Sequence, residues 1–266
     1  MSDIEPGSNE PAAASAPDMA APAGFLSQLR LAFSFLTILP VLDAGQAPGE
    51  TVAASFGWFA LVGFLLGLAL CGADAILAYW LSQAIRSAIL ILSLTIVSGG
   101  IHLDGLADTA DALGAGSNRE RALEILSDSR IGTYGAVAIF FDLALKTLAL
   151  ATLAGPHRYA ALIVAPMLAR GAMPLVAHRL EYLRNGGAGA ALLAHHDRAA
   201  GHVLAMAILM VVVSVALGET KALIVAGVVT YATREFYRRW LGGVTGDLIG
   251  ACGELVEVAV LISIAS

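Results

Sequence analysis

Five stretches of this chain, 52–81, 132–154, 159–176, 203–217 and 248–265, are apolar almost throughout. A hydrocarbon core of ~30 Å takes about 20 predominantly apolar residues to cross. Inside it, backbone N–H and C=O groups find no water, so a continuous apolar run closes its hydrogen bonds within itself as a helix. Two shorter runs, 88–101 and 222–232, reach across with help from their flanks. The fold class is therefore all-α: a polytopic integral membrane helical bundle with about seven transmembrane helices. Composition agrees, with 58% hydrophobic and 14% charged residues against about 45–50% and 25% in soluble domains. The mean hydropathy is +0.79.

Residues 1–24 are rich in Ala, Pro and Ser and carry Asp3, Glu5, Glu10 and Asp18. Such a segment buries no core and reads as a disordered acidic tail, leaving 25–266 as the membrane-embedded catalytic domain. A secretory signal opens with basic residues, whereas the first basic residue here is Arg30, so no cleavage is expected. The segment "LRLAFSFLTILPV", residues 29–41, is apolar but short and ends at Pro40; it reads as an interfacial or re-entrant helix. Cys71 and Cys252 fall in apolar runs as buried thiols without zinc spacing. The net charge of −6, without a basic cluster interleaved with aromatics, speaks against nucleic-acid binding.

With seven alternating spans, Arg119, Arg121, Arg130, Arg179, Arg184, Arg198, Arg234, Arg238 and Arg239 fall on one side, and Arg86, Arg158 and Lys221 on the other. Basic residues accumulate on the cytoplasmic side. The loops 102–131, 179–201 and 233–247 are therefore expected together at the cytoplasmic face of the membrane.

The first of those loops holds "SGGIHLDGLADTADALGAG", with Asp104, Asp108 and Asp111 inside eight residues. Spacings of four and three put all three carboxylates on one face of a helix. Crowded carboxylates repel unless a cation neutralises them. Oxygen-only ligands suit Mg²⁺, which takes one or two carboxylates plus waters and substrate phosphates. The plainer alternative is a solvated helix N-terminus, where negative charge is favoured anyway. His102, two residues before Asp104, is a candidate base or substrate contact, or simply a hydrogen-bonding residue.

In "ERALEILSDSRIGTYG", Asp128 and Arg130 stand where the chain re-enters the bilayer. Gly132 and Gly135 would let backbone N–H groups approach a phosphate at the next helix N-terminus, with Arg130 able to bind it bidentately. A late acidic group lies in "GGVTGDLIGACGELVE": Asp247 at a glycine-rich turn, then Glu254 and Glu257. Ionisable groups inside spans are costly and face a site or a partner. Asp142 and Lys146, four apart, are expected to pair with each other. Asp247 or Glu254 is expected to complete a cation site across the bundle. His178, His195, His196 and His202 bracket a glycine-bearing loop without a metal-ligand pattern.

Taken together, "GGIHLDGLADTADAL", "ILSDSRIGTYG" and "LGGVTGDLIGACGELVEV" resemble the cobalamin synthase (adenosylcobinamide-GDP ribazoletransferase) family. "FLTILP" is similar to that family's N-terminal segment, and Arg170 sits where the family commonly has an arginine within a span. The resemblance covers about residues 25–265. It implies a Mg²⁺-dependent membrane enzyme that joins adenosylcobinamide-GDP to α-ribazole or its 5′-phosphate and releases GMP, with pathway enzymes as partners at the cytoplasmic face. By motif, it assigns Asp104, Asp108 and Asp111 to an acidic signature with His102 beside it, and Asp128, Arg130, Gly132 and Gly135 to a second. Thr245, Gly246, Asp247, Glu254 and Glu257 fall in a third. By the same resemblance, cation ligation is expected from Asp104, Asp108, Asp247 and Glu254, substrate contacts from Asp128, Arg130, Gly132, Gly135, Arg170, Thr245 and Gly246, and a general base from Asp111 or His102. Two departures stand out: Leu126-Ser127 where the family commonly has Met-Lys, and a central loop "EYLRNGGAGAALLAHHD" that matches only loosely.

Competing classes fit less well. Aromatic prenyltransferases carry Asp-x-x-Asp motifs, whereas the spacing here is Asp-x-x-x-Asp-x-x-Asp. CDP-alcohol phosphotransferases want Ala-Arg soon after Asp-Gly, whereas Ala107-Asp108 stands here. A transporter built from two halves would show internal repeats, and none is visible.

Overall fold

A computed structural model describes residues 24–39, 48–128, 130–184 and 196–266, the side chains of 196–200 excepted. The acidic tail and most of the central loop, His195 included, lie outside the described residues. The described chain is helical almost throughout. In order come α1 (Phe25–Leu36), α2 (Gly49–Phe56), α3 (Phe59–Leu77), α4 (Gln83–Val97), α5 (Ile101–Leu113), α6 (Arg119–Ile125), α7 (Thr133–Thr152) and α8 (Gly155–Ala177). After β1 (Glu181–Tyr182) follow α9 (His196–Ala216), α10 (Thr220–Trp240), β2 (Gly243–Val244) and α11 (Gly246–Ala265).

The all-α membrane bundle is as expected, although length and apolarity single out fewer spans than seven. The helices α3, α7, α8 and α11 are each long and apolar enough to cross a membrane, and α4 joins them only when taken with α5. Of the remaining two expected spans, α9 has its side chains described only from residue 201 on, and that part, Gly201–Ala216, is apolar; α10 falls short for a local reason. In α10 the last turns carry Arg234, Glu235, Arg238 and Arg239. At 12 residues, α1 is too short to cross by itself.

At the centre of the bundle lies α8, buried along nearly its whole length despite Pro166 and Pro174. Its closest partner is α3, and small residues explain the approach. Gly63 and Gly67, one turn apart, face the α8 backbone at Pro166–Met167 and Leu162–Ile163, where a β-carbon would overlap main-chain atoms. Between helices in lipid no hydrophobic effect drives association, so small residues that let backbones touch are what hold a pair together. On its other side α8 packs against α11, which in turn contacts α5, α7 and α10.

Both ends of the bundle are marked by polar residues. At one end the C-terminus of α3 meets the starts of α4 and α8, where Asp74 accepts bidentately from Arg158 (2.7 and 2.9 Å) and pairs with Arg86 (3.2 Å). Lys221, at the start of α10, donates to Ser266 beyond α11 (2.8 Å). The three basic residues set apart by the loop count thus sit at one end, as alternating spans require. At the opposite end, Gly99 (φ 64°) and Gly100 (φ 69°) terminate α4 in the left-handed conformation that a β-carbon disfavours. The Gly100 N–H bonds back to the Thr95 carbonyl (3.0 Å), and the chain turns through 89° into α5. Because of that turn, α5 runs across the end of the bundle instead of continuing through it.

The α3–α8 contact yields a test. Gly67→Leu should lower the thermal unfolding midpoint of the detergent-solubilised protein by at least about 5 °C. Gly72→Leu, in the same helix with nothing within 4 Å, should change it by no more than about 1 °C. Equal effects would contradict the close-packed role given to Gly67.

Candidate active site

Three segments distant in sequence converge at the α5 end: α5 itself, the N-terminus of α7 and the N-terminus of α11. Gly105 of α5 lies directly against the backbone of Asp247, at a separation that leaves no room for a side chain. Asp104 and Asp108, on either side of Gly105, are thereby brought beside Asp247. The N-terminus of α11 is capped by Thr245, whose hydroxyl accepts from the Leu248 N–H (3.3 Å). A short parallel pairing, Glu181 with Gly243 and Tyr182 with Val244, carries the chain after α8 to the same place. Arg184 follows that pairing and bonds to Asp247 at 2.9 Å.

The carboxylates differ sharply in their surroundings. Asp111 accepts from two backbone N–H groups, Gly132 (2.7 Å) and Gly135 (3.0 Å), at the start of α7. A methyl at either glycine would overlap that carboxylate. The helix N-terminus expected to hold a phosphate is therefore filled by a side chain of the protein. With both oxygens engaged, Asp111 is a positioning carboxylate that locks α5 onto α7, not a free general base. Asp104 is exposed and Asp108 half-buried, and among the described residues no basic side chain forms an ion pair with either. Burial raises the Asp108 carboxyl to about 6, assisted by the charges of Asp104 and Asp247 and opposed by Arg184.

The remaining expected residues divide into three groups. Asp128 and Arg130 lie on the surface at this end, paired at 2.6 Å, and that hydrogen bond holds the Asp128 carboxyl below its ordinary range. Gly246 lines a cavity described below. The third group is withdrawn into the bundle. Glu254 bonds to Lys146 of α7, Lys146 also reaches Asp142 (2.8 Å) and Glu257 (3.4 Å), and Glu257 bonds to Arg170 of α8. Arg170 in turn donates to the Ser98 hydroxyl (3.2 Å). This placement corrects two expectations. Glu254 lies seven residues beyond Asp247, about 10 Å further along α11, and its charge is met by Lys146, so it does not share a cation with Asp104 and Asp108. Arg170, 2% exposed, is held by Glu257 and is not available to a substrate. The Asp142–Lys146 pairing is present, but as part of a network across three helices.

His102 is buried at 5% exposure, and its Nδ1 has no hydrogen-bond partner. Two residues from Asp104 on a helix, it points away from the exposed carboxylates, so the geometry does not place it as their base. It lines a cavity of about 270 Å³ walled by Phe35, Phe56, Phe59 and Met173 and edged by Tyr182, Gly246 and Asp247.

Two residues of this end were not assigned to the site from the sequence. Arg184 and Tyr182 come from "EYLR", the start of the loosely matching central loop, and only the β1–β2 pairing brings them in.

Chemically, the site offers oxygen ligands at an open, water-accessible end. Among the described residues no three His, Cys, Asp or Glu side chains converge into a preformed metal cage. A cation bound through one or two carboxylates, with water and substrate phosphate completing its shell, needs no such cage, and Mg²⁺ binds in that way. Asp104, Asp108 and Asp247 therefore fit Mg²⁺ on the chemistry of the donor set and on the uncompensated charge of the first two.

These features define a polytopic membrane protein with an acidic, phosphate-compatible site at one end of its bundle. The model of the cobalamin-5-phosphate synthase family matches residues 28–265, and the chain belongs to that family. Among its relatives are proteins named adenosylcobinamide-GDP ribazoletransferase. The one from Pseudomonas fluorescens is 38% identical over 237 residues, covering 88% of this chain and 97% of the relative. The one from Syntrophobacter fumaroxidans is 38% identical, covering 88% and 96%, and that from Desulforamulus reducens is 40% identical, covering 88% and 94%. No solved structure matches the chain.

The raised Asp108 carboxyl gives a pH-dependent prediction. With a folded value of about 6 against an ordinary 3.8, ionising Asp108 costs stability. That cost is absent below the unfolded value and complete once pH has risen past the folded one. Without divalent cations at pH 7.5, Asp108→Asn should therefore be more stable than the wild type, by on the order of 1 kcal/mol after solvent screening. The gap should close as pH falls from 7 towards 4. A variant less stable at pH 7.5, or a gap that widens in acid, would refute the crowded-carboxylate description.

Proposed function

We propose that this chain transfers the adenosylcobinamide phosphate of adenosylcobinamide-GDP to α-ribazole or its 5′-phosphate and releases GMP. The observation that carries the reading is the family match over 28–265. That region contains all three motifs, and the fold brings them to one end. The name of the relatives states the reaction. The excess of basic residues at the motif end supports its assignment to the cytoplasmic side of a bacterial inner membrane.

In this reaction a ribose hydroxyl oxygen forms a bond to the phosphorus that carries the cobinamide. The bond from that phosphorus to the bridging oxygen breaks, and GMP leaves with the electron pair. Positioning and electrostatics dominate such transfers. Asp104 and Asp108, with Asp247 beside them, would hold Mg²⁺, which supplies charge neutralisation on the diphosphate when bound. Arg184, bonded to Asp247, keeps a positive charge at the same edge. Asp111 keeps α5 seated on α7, so that the two free carboxylates stay in place. A loose transition state demands little activation of the hydroxyl beforehand, and its proton leaves to the water that reaches exposed Asp104.

The test is GMP release by the purified, lipid-reconstituted protein given adenosylcobinamide-GDP, α-ribazole and Mg²⁺. Release together with a cobalamin product, its loss on chelation, and at least a ~100-fold drop in Asp104→Ala or Asp108→Ala that still inserts are expected. No GMP from folded wild-type protein would overturn the proposed reaction. Near-normal turnover in both variants would remove the cation from these aspartates.

A further inference from the structure

The proposed reaction uses two substrates of very different size, and the cavity beside Asp247 discriminates between them. We infer that this cavity, walled by Phe35, Phe56 and Phe59 and containing His102, is the subsite for the planar base of the ribazole nucleoside. The inference rests on the function proposed above and adds where, and by which residues, the acceptor is held.

Size comes first. At about 270 Å³ the cavity lies near the lower end of small-ligand pockets, about 300 Å³. A two-ring heterocycle fits such a space, whereas the corrinoid macrocycle of the other substrate is far too large. Shape and chemistry follow. Phe56 and Phe59 stack on each other at 4.5 Å between ring centroids, and Phe35 lies 5.5 Å from Phe56, so a cluster of aromatic rings lines the cavity. Tyr182 and Asp247 add polar groups to its lining. A nucleoside has the same division: a flat apolar base at one end and a hydroxylated sugar at the other. With the base among the phenylalanines, the sugar lies towards Asp247, whose neighbours are Asp104 and Asp108.

His102 supplies the remaining observation. His102 is 5% exposed, its Nδ1 is sealed from the cavity, and its Nε2, the ring nitrogen that is not sealed, makes no hydrogen bond among the described residues; such a group is costly unless something bonds to it. A benzimidazole base carries one unsubstituted ring nitrogen, a hydrogen-bond acceptor, and a neutral imidazole has one N–H to donate. A base in the cavity would give Nε2 that hydrogen bond, and a lipid chain in the same cavity would not.

The experiment titrates the full-length protein in lipid nanodiscs, without the diphosphate substrate. Two nucleosides serve as probes: α-ribazole and its isostere in which a C–H replaces the acceptor nitrogen of the base. Wild-type protein should bind α-ribazole saturably and prefer it over the isostere by about tenfold. Phe35→Ala, at a half-buried position, should weaken both by about tenfold, and Phe35→Leu serves if the alanine variant does not fold. His102→Leu should abolish the preference while still binding the isostere. Unchanged affinities in the Phe35 variants, or no preference in the wild type, would overturn the assignment. The two proposals fail separately. Nucleoside binding as expected without GMP release refutes the reaction and leaves the subsite standing. Normal GMP release with an unchanged KM for α-ribazole in both variants refutes the subsite alone.

Discussion

A lysine ammonium buried in the bundle, that of Lys146, is the interaction on which the rest of the arrangement depends. It meets Asp142 on its own helix and Glu254 and Glu257 on α11. From Glu257 the network passes to Arg170 on α8 and from there to Ser98, at the α4–α5 turn. Removing Lys146 would leave three carboxylates facing Arg170 alone in an apolar interior, a loss of about 3–5 kcal/mol. The network therefore fixes α7, α8, α11 and the α4–α5 turn relative to one another. Those are the elements whose ends carry the three motifs.

Against that core, the motif end stands out by what is left unpaired. Asp74, Glu219, Glu254 and Glu257 each have a basic partner, and Asp111 has two backbone N–H groups. Asp247 has Arg184. Asp104 and Asp108 have no ion-pair partner among the described residues, and they lie where water reaches them. A protein that neutralises its acids in the interior and leaves two neighbouring carboxylates of one helix, Asp104 and Asp108, without an ion pair has a charge there for something else to meet. A hard cation bridging to a diphosphate is that something in the proposed reaction, with Asp111 and Gly105 holding the bare pair in place.

The sequence was most legible where structure is local. Long apolar runs announced spans, and Asp104, Asp108 and Asp111 did share a helix, whereas the turn at Gly99-Gly100 fell inside the expected span 88–101. Legibility failed where a partner came from another element. Gly132 and Gly135 advertised free N–H groups, but nothing local said that the waiting anion was Asp111 from the preceding motif. Glu254 had no cation nearby in sequence and was therefore expected at the cation site, whereas its partner Lys146 lies 108 residues away. Arg170 fitted a substrate role by motif, and only its contact with Glu257 shows it spent inside the bundle. Arg184 depends on a two-residue strand pairing too short to show as a pattern.

In the proposed reaction Asp104, Asp108 and Asp247, and not Glu254, would hold the divalent cation. Manganese, which takes the same oxygen ligands as Mg²⁺, makes the claim measurable by electron paramagnetic resonance on the reconstituted protein. Bound Mn²⁺ is expected in the wild type, with its loss in the Asp104→Asn, Asp108→Asn double variant and its retention in folded Glu254→Gln. Retention in the double variant together with loss in Glu254→Gln would place the cation in the bundle interior and refute its binding at Asp104 and Asp108.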